Sequence, residues 1–101
     1  MSRQPTYPRE IRIWVGAEQI RSGIRKDGGH CPIGLSLVGR YKSCYISTRY
    51  VWVCQNESFY PGPWAWYVLD KNGCEFVEQF DKGMEVKPLV LSMVLVHVYR
   101  F

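Results

Sequence analysis

Hydrophobic and polar positions alternate cleanly near the start of the chain. In "IRIWV" (11–15), Ile11, Ile13 and Val15 share one parity while Arg12 and Trp14 share the other. That is the period-two pattern of a strand with one buried face. "AEQIRSG" (17–23) fits a short helix, with Gly23 in the position after it that often takes a left-handed backbone. In "CPIGLSLV", Pro32 suits a first helical position, because its missing N–H has no partner there anyway. Gly34 limits this second helix to about two turns. Residues 43–54 read as strand material breaking in two near Ser47-Thr48-Arg49, and "AWYVL" (65–69) reads as a further strand. "DKNG" (70–73) reads as the turn that ends it. "CEFVEQFDKG" then sets Phe76, Val77 and Phe80 on one helical stripe, with Glu75, Glu78 and Asp81 outward and Gly83 as the stop. The closing run, Leu89 to Val98, is apolar on both parities, which predicts a central strand buried on both faces. Trp66 is expected in the core.

These elements predict one α+β domain over residues 10–101, a mostly antiparallel or mixed sheet with two or three short helices on one face. Residues 1–9, with two prolines and two arginines, read as a flexible basic arm. A chain of 101 residues supports one core and no second. Its longest apolar-rich stretch, "LVLSMVLVHVYRF", is interrupted by Ser92 and His97 and falls short of the ~18 residues of a membrane span. The polar N-terminal segment has no secretory apolar region. The expected setting is therefore the cytoplasm, with no membrane partner. Cys31, Cys44, Cys54 and Cys74 form no CxxC pair, so they read as reduced thiols rather than a zinc site, and no metal or cofactor is expected.

Charge is uneven along the chain. Residues 1–50 hold nine Arg/Lys against three acids, and residues 51–101 hold four against six. An electropositive half favours an anionic partner. Arg40, Lys42 and Arg49, interleaved with Tyr41, Tyr45 and Tyr50, combine cations with rings in the way single-stranded nucleic acid requires. Arg25 and Lys26 precede Gly28 and Gly29, where the backbone is free to approach a phosphate or carboxylate at the start of the Pro32 helix. The P-loop and dinucleotide glycine spacings are absent, and Pro32 removes one donor. Cys31 at a helix start would favour a thiolate, yet no residue orients a histidine toward it, so a thiol enzyme is the weakest reading. Four Trp and seven Tyr exceed what a small core absorbs. Phe59, Tyr60 and Trp64 flank rigid prolines in "SFYPGPWAW", and Arg12 and Trp14 share an outward strand face. These five are the expected partner-binding residues.

The set of motifs resembles a family of small bacteriophage and prophage proteins. The resemblance rests on Glu18 with Ile20 and Gly23, on Asp27 four residues before Cys31-Pro32, and on Phe76 with Phe80, Asp81 and Gly83. It covers roughly residues 11–92 and departs at Gly34 and Ser36, where alanines are usual, in the aromatic 44–69 region, and in the tail "VLVHVYRF". What it implies is context, a phage-type protein acting inside a bacterial host. The expected function is non-enzymatic: binding and inhibiting a host protein, such as one of a defence system in the manner of anti-CRISPR proteins. The alternative is sequestration of a nucleic acid or nucleotide by Arg25, Lys26, Gly28, Gly29, Arg40, Lys42 and Arg49. A second copy, pairing through a sheet edge, is a further expected partner.

Overall fold

The computed structural model describes residues 7–55 and 63–99. In chain order the elements are β1 (Glu10–Val15), α1 (Ala17–Ser22), α2 (Pro32–Leu37), β2 (Ser43–Ile46), β3 (Tyr50–Cys54), β4 (Trp64–Leu69), α3 (Lys71–Asp81) and β5 (Leu89–Tyr99). The five strands form one sheet in the order β1-β5-β4-β3-β2, with every neighbouring pair antiparallel. The fold is α+β, as its pattern predicts.

The topology decides which face is covered. β1 and β2 are consecutive strands but lie at opposite edges, so the chain between them must cross one face of the sheet. It does so through α1 and α2. α3, between β4 and β5, lies on the same side, and its Phe76, Val77 and Phe80 join Ile33 and Leu37 of α2 in one core. The sheet contributes Ile11, Ile13, Val15, Leu91, Met93, Leu69, Tyr67, Ala65, Val51, Val53 and Ile46, all from the parity facing the helices. The Tyr67 side chain is fully buried, and its hydroxyl donates to the Pro8 carbonyl at 2.7 Å. Burial pushes that hydroxyl well above the usual tyrosine range.

Local chemistry fixes the helix ends. Pro32 is the first residue of α2, with Cys31 in extended conformation before it. Gly83 has φ +78 and closes α3: its N–H donates to the Phe80 carbonyl and Met84 N–H to Gln79, the paired bonds of a Schellman end. Gly23 differs from expectation. Its φ of −69 and ψ of 148 are open to any residue, so its glycine answers to crowding by Pro32 instead.

Three further expectations change. "DKNG" is not a turn: Asp70 caps α3, accepting Gly73 N–H at 2.7 Å, and Lys71 to Gly73 are its first turn. The arm is docked from Tyr7 onward, since Tyr7 is buried, stacks on Tyr41 at 6.0 Å, and donates to the Pro63 carbonyl. Most consequential is β5. It lies between β1 and β4, hence central, but only its Leu91 and Met93 parity is buried; Val90 and Val94 are more than half exposed. Among the described residues no helix is long and apolar enough to cross a membrane.

Candidate functional site

Residues directly opposite in an antiparallel pair point to the same face. Following the register away from the core side, β1 presents Glu10, Arg12 and Trp14 opposite Val94, Ser92 and Val90 of β5. β4 presents Val68 opposite Val94, then Trp66 opposite His97 and Trp64 opposite Tyr99, across an irregularity at Trp66/Tyr67. β3 adds Tyr50 opposite Val68 and Trp52 opposite Trp66, and β2 adds Tyr45 opposite Trp52. All four tryptophans of the chain therefore lie on one face, and no described helix covers it.

The rings form connected groups. Tyr45 meets Trp52 at 6.0 Å, Trp52 meets Tyr50 at 6.0 Å, and Tyr50 meets Trp66 edge-on at 5.2 Å. Trp64 stacks on Tyr99 at 4.2 Å, and Tyr99 meets His97 edge-on at 4.5 Å. Such contacts hold the rings in fixed orientations beyond what area burial gives. Toward β1 the face becomes more open: Trp14 is 61% exposed, Val90 55% and Val94 53%. Trp66 Nε1 is buried with no acceptor among the described residues. Formal charge is scarce. Among the described residues Glu10 and Arg12 are the acid and the cation on this parity, 3.7 Å apart and both well exposed, a contact too loose to contribute much.

Of the expected partner-binding residues, Arg12, Trp14 and Trp64 come together on this face, Trp64 as the first residue of β4 rather than as part of a loop. Phe59 and Tyr60 lie outside the described residues. Trp66, expected in the core, belongs to the open face and is half-buried there. Trp52, His97, Tyr99, Val90 and Val94 were not singled out from the sequence. The signal for the rings is parity: Tyr50 and Trp52, like Trp64 and Trp66, sit two apart on neighbouring strands.

The expected anion-binding residues are dispersed. Asp27 Oδ1 accepts the N–H groups of Gly29 and His30 at 3.0 and 3.1 Å and contacts His30 Nδ1 at 3.0 Å. A carboxylate of the chain itself thus occupies the donors of this loop. The Gly28 carbonyl accepts Ile46 N–H at 2.7 Å, tying the loop to β2. Lys26 takes φ 58 and donates its N–H to Asp81 Oδ1 at 2.8 Å, while the Arg25 guanidinium lies against Gly83. Arg40 is exposed beyond α2. Lys42 precedes β2 and Arg49 precedes β3, and because that pair is antiparallel the two cations stand at opposite ends of it. Lys42 lines a groove of about 590 Å³ with His30, Tyr41 and Cys44 on the helix side, away from the rings.

Cys31 is buried, whereas His30 is exposed and engaged with Asp27. Burial raises the Cys31 thiol to about 11, outweighing its backbone hydrogen bonds to Gly34 and Ile33. It is a thiol, not a thiolate, at neutral pH. Among the described residues no three of His, Cys, Asp or Glu converge to hold a metal ion. A prediction follows from the raised thiol. The unfolded chain releases the Cys31 proton near pH 9 and the folded chain only near 11, so the folded state binds more protons in that window. Stability is complete below pH 9 and falls as pH rises through it, by roughly 2 kcal/mol from this group. Burial raises Cys44 and Tyr41 in the same direction. Urea unfolding at pH 8 and pH 10.5 should show the loss, and Cys31→Ala should flatten it; equal pH dependence in that variant would remove Cys31 as the cause.

Comparison with protein families, curated proteins and solved structures finds no match to this chain.

Proposed function

We propose that the chain is a non-enzymatic protein-binding module that docks through the open face of its sheet. The observation that supports this is the face itself, a broad array of rings and valines whose formal charges, among the described residues, are one acid and one cation. Large apolar patches rimmed by polar residues mark interaction sites, and buried aromatic anchors supply most of the energy of protein interfaces. Nucleic acid is a poorer match. Its affinity rests on neutralising phosphates, and the cations beyond Arg12 that were candidates for this stand on other parts of the surface. The resemblance to phage proteins supports a setting in the bacterial cytoplasm, with a host protein as the target to be inhibited.

The test is capture of host protein by the immobilised chain. Val94→Lys places a desolvated charge at the centre of the face and should lower capture about tenfold or more. Reversing Lys42 and Arg49 to Glu should leave capture within about twofold, and nuclease treatment should not change it. Undiminished capture by the Val94 variant, or loss of capture with nuclease, overturns the proposal.

A further inference from the structure

β1 forms one edge of the sheet, and the parity of its ladder decides which backbone groups that edge leaves open. Leu95 N–H donates to the Arg9 carbonyl at 2.7 Å, in line with the register that pairs Glu10 with Val94. Directly bonded pairs recur at every second residue of an antiparallel ladder. Ile11, Ile13 and Val15 therefore bond β5, while the N–H and C=O groups of Glu10, Arg12 and Trp14 point away from the sheet. Nothing among the described residues bonds those outward groups. The register of β1 on β5 is unbroken and the strand holds no proline. We infer that a second copy of this chain pairs with this edge, its β1 antiparallel to β1, so that two sheets become one. The inference concerns the edge and stands apart from docking on the open face. It gives the edge pairing expected from the sequence a strand and a register.

Charge selects a second copy as the occupant. Charged side chains ordinarily deter pairing at an edge, because two copies set like against like. Here the acid and the cation are neighbours on one parity, Glu10 and Arg12, both well exposed. A two-fold axis perpendicular to the sheet, between the facing Ile11 residues, sets Glu10 of each copy directly opposite Arg12 of the other. Each acid then has a cation beside it on its own strand and another across the junction, and the charges alternate around a square. In the same register the outward N–H and C=O of Glu10 bond those of the facing Arg12, and the reverse holds across the axis.

The opposite edge makes the assembly finite. Ser47 N–H donates to the Tyr50 carbonyl at 2.8 Å, which by the same parity turns Ile46 N–H outward. The Gly28 carbonyl already accepts that group at 2.7 Å, and β2 is only Ser43–Ile46. A short edge closed by the chain's own loop offers β1 no ladder. Copies therefore meet β1 to β1 and stop at a dimer, where β1 on β2 would run on as a fibre.

Native mass spectrometry and light scattering on the full chain, from about 1 to 100 μM, should show twice the 11.8 kDa chain mass. Arg12→Pro removes an N–H that faces away from β5, a position where an edge strand accepts proline. It should keep the far-UV spectrum and be monomeric at 100 μM. Arg12→Glu keeps the N–H but sets acid against acid, and Glu10→Arg sets cation against cation. Each should weaken the dimer about tenfold, while an equimolar mixture of the two should associate as tightly as the unaltered chain. Should Arg12→Pro fail to fold, the mixture decides alone. A monomeric mass for the unaltered chain at 100 μM, a dimer indifferent to Arg12→Pro, or a mixture no better than its components overturns the inference. A monomeric chain whose capture of host protein depends on Val94 would overturn the second copy and leave the docking surface standing.

Discussion

Replacing Asp70 with alanine should lower stability by about 3 kcal/mol and the melting temperature by roughly 12 to 24 °C. One side chain here serves two elements. Oδ1 accepts Gly73 N–H at 2.7 Å, capping α3, and Oδ2 accepts Ser92 N–H at 2.9 Å in the middle of β5. The backbone repeats the link, with Asp70 N–H donating to the Ser92 carbonyl at 2.9 Å. β4 ends at Leu69, paired with Met93, so the carboxylate takes the place a further ladder partner would have filled. Alanine removes the cap, which is worth about 1 kcal/mol, and strands a partly buried N–H at a penalty of about 1 to 3 kcal/mol. Serine should recover the cap but not reach Ser92, and so restore about a third of the loss. Urea unfolding of the three proteins decides this; an alanine variant within ~1 kcal/mol of the parent would show that the Ser92 bond adds nothing. Because Ser92 sits between Val90 and Val94, the same variant should also weaken any association through the open face.

Asp70 also shows where the sequence stops being legible. "DKNG" carries turn formers and an N-cap with equal justice, and the choice depends on whether the Phe76 stripe extends back to Lys71. The α3 stripe, the Gly83 stop and the Pro32 start were legible because each is set by local conformation or helical period. Gly73 hides the extension, since glycine lowers helix propensity; a Cβ there would stand 3.1 Å from both Asp70 Oδ1 and the Leu69 side chain.

The open face was hidden for a different reason. Parity says which residues share a face; it does not say what covers that face. Leu89 to Val98 is apolar on both parities, and burial on both sides is the usual consequence. Here all described helices lie on one side, because the connection from β1 to β2 crosses there and α3 joins it. The second apolar parity is left without a described helix over it, with Val90 and Val94 exposed. Likewise Arg25, Lys26, Arg40, Lys42 and Arg49 are close in sequence, but the β2–β3 pairing and the Asp27 and Asp81 contacts distribute them over separate parts of the surface.

Gly23→Ala should lower stability by about 3 kcal/mol, the upper end of overpacking losses. A Cβ at Gly23 would stand 2.6 and 2.7 Å from Cδ and Cγ of Pro32 and 3.0 Å from its nitrogen. None of these atoms has a flexible route away. The proline ring is buried at the first position of α2, and Ile24 N–H bonded to the His30 carbonyl at 2.9 Å closes the loop that brings the two together. The added methyl must therefore push α1 from α2. Asparagine separates this cause from the conformational one suggested by sequence position. A left-handed site tolerates asparagine better than alanine, whereas crowding makes the larger side chain at least as damaging. The expected order is Gly, then Ala, then Asn, with Gly39→Ala as a control: nothing lies within 4 Å of a Cβ there. That control should be neutral or stabilise by up to ~1 kcal/mol, by restricting the unfolded chain. Rescue by asparagine in equilibrium unfolding would return Gly23 to a conformational role and leave the contact between α1 and the Pro32 ring without energetic weight.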